Sequence, residues 1–434
     1  MKNLLIGFFI LGLVLLAIFL LMQISEPPQQ KVAQQTEAID TQAEQEATVL
    51  PEPPPGAFVF DMEYRGLSGK PDELKYNSFW GFGGNSEQTP FLAEVKKKAK
   101  DIETVYNPKF KGAEWSAVEV KDKKAVALYI DLDANGKVSD NEKILPIHNS
   151  ESSPNNRTEF VTPDFIMNTQ DDRQVPFRTL LQAAFYGEQT RPQMMWSPSC
   201  VLEGNSTIDG QPSKLILFSS GFSGSFKDFG RSSCSLQTGK FETGTYLPKG
   251  ALSSIINHNG QFYNMRFDGR HEKGGKVRAI LTNYTGATGE LTTELTGNTN
   301  LQANLSYTYV TGSKDTTIQF SVASGQGKLP TGSYKLNRGN VNYNAENGDE
   351  WRLDFKEGPE FTIDADKTCE VQLGKPELSV SAVDENKRYR NDVKEQTVYS
   401  EGTNVYISRI IKGKGGELYG RFSQQISRSS KYSG

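Results

Sequence analysis

Ala125-Val-Ala-Leu-Tyr-Ile130, Asp131-Leu-Asp-Ala-Asn-Gly-Lys-Val-Ser-Asp-Asn-Glu142 and Lys143-Ile-Leu-Pro146 follow one another without a break, and their reading decides the fold class. The first segment is rich in β-branched and aromatic residues and has no helical period, which predicts a buried strand. The last reaches a proline within a turn. Proline lacks a donor and pushes the residue before it out of the α region, so no helix follows. The twelve residues between them therefore join two strands, with Val138 expected to pair briefly inside the loop.

Those twelve residues place oxygen-bearing side chains at regular intervals. Ca²⁺ takes about six to eight oxygens, and an EF-hand loop supplies them from its first, third, fifth, seventh, ninth and twelfth positions, with glycine at the sixth for the sharp turn. Over residues 131–142 alone the sequence resembles such a loop. The resemblance implies Ca²⁺ as the cofactor, held by Asp131, Asp133, Asn135, the backbone carbonyl of Lys137, Ser139 through a water, and a bidentate Glu142, with Gly136 at the turn. A sensor EF-hand works by changing the angle between two helices, which this segment lacks, so the expected role is structural. An Asx-rich hairpin turn without metal is the alternative reading.

A degenerate second copy follows. Ile216-Leu-Phe218 aligned under Leu128-Tyr-Ile130 brings Ser219 under Asp131, Gly221 under Asp133, Gly224 under Gly136, Phe226 under Val138 and Gly230 under Glu142. The turn glycine survives and the carboxylates do not, so a hairpin without a metal is expected there.

Working outward, Phe91 to Ile102 has helical spacing, with Glu94 and Lys98 as a supporting pair one turn apart. Pro176 to Tyr186 carries proline at a plausible first helical position and apolar spacing of three and four, predicting a short packing helix. Elsewhere from Ala57, short alternating runs broken by Gly, Asn and Asp predict antiparallel strands. The fold expected is mainly β, with an N-terminal transmembrane helix, a linker, tandem antiparallel β units and a C-terminal β-sandwich. The expected boundaries are 1–24 anchor, 25–56 linker, 57–150 β unit with the loop, 151–296 second β unit, 297–376 β-sandwich-like domain and 377–434 C-terminal unit with a basic surface.

Leu4 to Met22 is long enough, and free enough of charge, to span a bilayer. Lys2 on its N-terminal side keeps that end in the cytoplasm, placing the bulk of the chain outside. Met22-Gln-Ile-Ser-Glu-Pro offers no small-x-small cleavage site, so the anchor is expected to stay. Residues 25–56, ending in Pro51-Glu-Pro-Pro-Pro-Gly56, lack the apolar residues to pack a core and are expected to be a disordered spacer.

The 434-residue chain has a net charge of −4, which gives no case for nucleic acid. From Lys387 onward, ten basic residues stand against four acidic ones, a local +6 that suits an envelope polymer, a glycan or a lipid headgroup. Three cysteines allow at most one intrachain bridge, with Cys200 and Cys234 the candidate pair. His148, His258 and His271 are too few and too turn-bound for a zinc site or a catalytic triad. As a whole, residues 57–434 resemble bacterial exported, membrane-anchored proteins with paired Asp-x-Asp-x-Asn-Gly hairpins followed by β-sandwich modules, which implies an architecture and no activity. The expected function is a non-enzymatic structural or adhesive envelope protein. A glycan-binding or glycan-hydrolysing protein is the alternative, with Trp80, Trp196 and Trp351 as sugar platforms.

Overall fold

Strands Trp115–Lys121 and Lys124–Ile130 pair antiparallel across a tight turn at Asp122 and Lys123, both in the left-handed region. With Ile102–Tyr106 on one side and Lys143–Ile144 on the other they make a four-stranded sheet in chain order. The structure is a computed structural model. It describes residues 50–69, 80–81, 89–106, 115–152, 155–168, 174–187, 191–219, 221–222, 224–229, 232–241, 250–269, 275–296, 303–311, 321–323, 326–344, 350–374, 376–384 and 405–425. The expected anchor and most of the expected linker lie outside these residues. Among the described residues no helix is long and apolar enough to cross a membrane. The fold is mainly β, and the α-helix among the described residues is Pro90–Lys98.

Both faces of the four-stranded sheet are covered, which explains the unbroken apolar run in Lys124–Ile130. Leu128 and Ile130 face a large core, and Ala127 and Tyr129 face Phe91, Leu92 and Val95 of the helix. That helix was legible as a periodic stretch, and it ends at Lys98 rather than Ile102, because Ile102 opens a strand.

An eight-stranded sheet shares the large core. Its order is Gly250–Ala251, Ser233–Thr238, Gln211–Phe218, Cys200–Ile208, Phe58–Gly66, Val277–Asn283, Gln261–Gly269, Ile255–His258. Asp209-Gly210 and Asn259-Gly260 turn two of its hairpins with positive φ at both residues, the geometry that matches strand twist. Near its two ends Thr238 Oγ1 and His258 Nε2 meet at 2.5 Å. A five-stranded sheet, Trp80–Gly81, Gln193–Pro198, Thr179–Tyr186, Asn155–Val161 and His148–Ser152, packs on the same core.

Here the expected helix over Pro176–Tyr186 is corrected. Gln174–Phe177 pairs with Phe165–Asn168 in a two-stranded ribbon, and Thr179–Tyr186 is the middle strand of the five, buried from Thr179 to Phe185. A strand covered on both faces loses its alternation, so its apolar spacing imitates a helix.

Toward the C-terminus, Gln326–Pro330, Thr288–Thr296 and Thr368–Gly374 form a three-stranded sheet, in which the last two run parallel. Leu291, Leu329 and Leu373 share a core with Leu336, Val341 and Phe355 of a larger antiparallel sheet running from Ser321–Ala323 to the edge strand Glu377–Asp384.

Strand pairing crosses the internal boundaries drawn from the sequence. Phe58–Gly66 lies between Cys200–Ile208 and Val277–Asn283, across 150. Thr288–Thr296 pairs with Thr368–Gly374 across 296, and Val405–Lys412 and Leu418–Gln425 join the sheet of Glu350–Lys356 across 376. The end of the expected spacer is also ordered: the chain turns between Pro54 and Ala57, and Arg278 Nη1 donates to the Pro51 carbonyl at 3.5 Å.

Cys200 and Cys234 are both free and buried. Gln211–Phe218 runs between their strands, so about two strand spacings, roughly 9–10 Å, separate them. That exceeds the ~7 Å limit for a bridge. Burial pushes each thiol up to about 12, which makes both poor nucleophiles.

Candidate metal centre

The loop hangs from the end of Lys124–Ile130, where burial continues one residue into Asp131. It is folded by its own carboxylates. Asp131 Oδ1 accepts from the Asn135 N–H and Oδ2 from the Gly136 N–H, each at 3.0 Å. Asp133 accepts from Asn135 through the backbone at 3.2 Å and through the side-chain amide at 2.7 Å. Glu142 spans the loop, accepting from Leu132 N–H at 2.9 Å with Oε1 and from Ser139 N–H at 2.8 Å with Oε2. Residues Asp140–Glu142 form a 3₁₀ turn, with Ser139 as the cap and Glu142 closing the box.

The helix backs this loop. Lys98 Nζ donates to the Val138 carbonyl at 2.8 Å, and Val138 packs into the helix cluster. Val138 therefore lies outside any strand, against expectation: its carbonyl is taken by a lysine and its side chain by the helix. Gly136 has φ +73°, and a Cβ there would stand 3.2 Å from Pro90 Cβ, so the turn needs glycine for both conformation and space.

Asp131, Asp133 and Glu142 converge, with one oxygen from each lying within 4.8 Å of the others. Asp131 and Glu142 are buried and Asp133 is exposed. Among the described residues, no lysine or arginine forms an ion pair with any of the three. The Asp131 carboxyl is held above the usual carboxylate range, first by burial and then by Glu142 and Asp133, against the opposing N–H bonds of Gly136 and Asn135.

This arrangement could hold a metal ion. One oxygen from each of the three acids lies within 4.8 Å of the others, close enough for a single cation to touch all three. The donors are hard oxygens with no histidine or thiolate among them, which suits a hard cation. Three of the six expected ligands are thus brought together. Two of the others make local bonds: Asn135 Oδ1 accepts from Lys137 N–H at 2.7 Å, and Ser139 Oγ lies 2.6 Å from Glu142 Oε2. Both Glu142 oxygens thus already accept hydrogen bonds from the loop.

The second copy is a hairpin with a different filling. Gln211–Phe218 and Ser233–Thr238 pair antiparallel, and Gly224 has φ +68°, as Gly136 has +73°. Where the first loop carries acids, this one buries Phe222 and Phe226 in the main core, and Ser219 Oγ bonds the Gly221 carbonyl. As for the sugar-platform reading, Trp196 is fully buried in the core and presents no face to solvent. The side chains of Trp80 and Trp351 lie outside the description.

Fold and site together define a mainly β protein with a partly buried acidic cluster that could hold a metal ion. No protein-family model matches the chain, and neither a curated protein nor a solved structure does.

Proposed function

We propose that the chain is a membrane-anchored extracytoplasmic protein with a structural or adhesive role, and that loop 131–142 holds one structural calcium ion. The observation that carries the metal is the convergence of Asp131, Asp133 and Glu142, none of which is ion-paired to a lysine or arginine among the described residues. Like charges held that close and partly out of water repel, and a divalent cation removes the repulsion. The structural role follows from the flanks: a strand precedes the loop, a two-residue strand follows it, and no helix pair is present to act as a lever. The anchor and export reading rests on the apolar run Leu4 to Met22 and on Lys2.

Thermal melting with calcium and with chelator tests the metal. For an extracytoplasmic site of Kd about 10⁻⁴–10⁻³ M, calcium at about 10 mM should stabilise the native state by roughly 1–3 kcal/mol. The double substitution Asp131→Ala/Glu142→Ala should abolish that gain. Equal melting of wild type with and without calcium would remove the claim.

A further inference from the structure

We infer that the lysine-rich face formed by the end of helix Pro90–Lys98 and the hairpin turn Lys121–Lys124 is a docking surface for a linear polyanion. The helix finishes on Lys96, Lys97 and Lys98, followed by Lys100, and the turn contributes Lys121, Lys123 and Lys124. The fold brings the two runs together: the Val120 N–H donates to the Asp101 carbonyl at 2.8 Å, and Ile102 pairs with Glu119. All seven lysines are exposed.

Within residues 90–101 and 119–124 the acidic groups are Glu94, Asp101, Glu119 and Asp122. Glu94 pairs with Lys97 at 2.5 Å and Glu119 with Lys121 at 3.1 Å. Seven positive charges against four negative leave these two segments at +3, on a chain whose net charge is −4. Next along the sheet, Arg191 and Glu103 offset each other. Stabilisation of the helix C-terminus by its dipole accounts for lysines in the last turn. It does not account for three more lysines on a neighbouring hairpin.

The chemistry of the face selects the partner. An ammonium is a point charge without the fork geometry of arginine, so lysines read charge density rather than one particular headgroup. A bilayer would also call for exposed apolar anchors. Among the described residues the large exposed apolar side chains are on other segments, such as Leu145, Ile166, Phe241 and Leu378. A solvated chain of closely spaced anions fits better, bound through counterion release.

Inorganic polyphosphate, labelled for fluorescence anisotropy and titrated with the full chain over a salt series, is the probe. Wild type should bind with affinity that falls as salt rises. Lys96→Gln/Lys100→Gln/Lys123→Gln should lower the slope of log affinity against log salt by about 2, since each lost contact on a flexible strand removes roughly 0.7. Affinity at low salt should fall about tenfold or more. The same three positions changed to Arg should keep binding, which guards against a misfolded glutamine variant. Lys328→Gln/Lys412→Gln/Lys414→Gln removes equal charge from the C-terminal sheets and should change affinity less than about twofold. No binding by wild type would overturn the inference, as would equal weakening by both glutamine triples. So would a preference for anionic over zwitterionic vesicles that the first triple abolishes while polyphosphate stays unbound, which would assign the face to a membrane.

Discussion

Asp131 shows how one side chain can serve both the fold and the site. Its two oxygens hold the Asn135 and Gly136 N–H groups, so the turn is shaped by the chain itself, yet its burial beside Glu142 and Asp133 makes its own charge unfavourable. The sign of its pH dependence follows. With its folded carboxyl raised above the unfolded value, the native state keeps a proton that the unfolded chain has already lost. Stability from this group is therefore full below the unfolded pKa and declines as pH rises through the folded one. In chelator, the stability of wild type relative to Asp131→Ala should shrink as pH rises past the ordinary carboxylate range. In calcium, which binds the deprotonated form, the difference should grow over the same range. Denaturant titrations at several pH values check this, and a difference that ignores chelator would count against the metal. Glu417 is a carboxylate of the other kind, fully buried and structural. Its Oε1 accepts from Gly374 N–H at 2.6 Å and Tyr419 O–H at 2.9 Å, and its carboxylate fills the space that a Cβ at Gly413 would need. The glycine-rich run Gly413–Gly416 is thus occupied by the chain's own acid. Glu417→Ala strands two buried donors and should cost about 2–4 kcal/mol in urea titration, while Glu417→Gln keeps an acceptor and should cost less than half of that.

Among the elements, the Pro90–Lys98 helix is built by rules that act within its own few residues. Thr89 Oγ1 accepts from Leu92 N–H at 3.2 Å, Pro90 opens the first turn, and Phe91, Leu92 and Val95 make the buried stripe. Thr89→Ala should cost about 1 kcal/mol by denaturant titration, and a loss near zero would mean that packing alone holds the helix. Because these signals are local, the helix was legible in the sequence, as were the Lys124–Ile130 strand, the loop and the three convergent acids. Thr179–Tyr186 was not. Leu180, Leu181, Ala184 and Phe185 repeat at three and four, yet both strand faces are covered, and only its neighbours Gln193–Pro198 and Asn155–Val161 settle the matter. Val138 failed for a related reason. Nothing in the twelve-residue motif says that a lysine forty residues earlier will take its carbonyl.

At the scale of the whole molecule, the missing information is strand order, which no periodicity encodes. Phe58–Gly66 pairs with Val277–Asn283, so a loop of more than two hundred residues must close for the middle of the sheet to form. Such non-local pairing costs loop-closure entropy first and returns contacts late, which predicts slow folding. It also makes this first strand the part on which residues 50–434 depend as one compact unit. A chain beginning at Leu50 keeps every described strand and should melt as the full chain does. One beginning at Leu67 loses Phe60 and Met62 from the core and leaves Cys200–Ile208 and Val277–Asn283 each with a bare edge in mid-sheet. It should show no cooperative transition by calorimetry. Phe60→Ala, which keeps the backbone ladder, isolates the packing and should cost about 3–5 kcal/mol. If the chain from Leu67 still melted sharply, the strands on either side of Phe58–Gly66 would be two self-sufficient sheets, and the eight-stranded assembly a juxtaposition rather than a cooperative core.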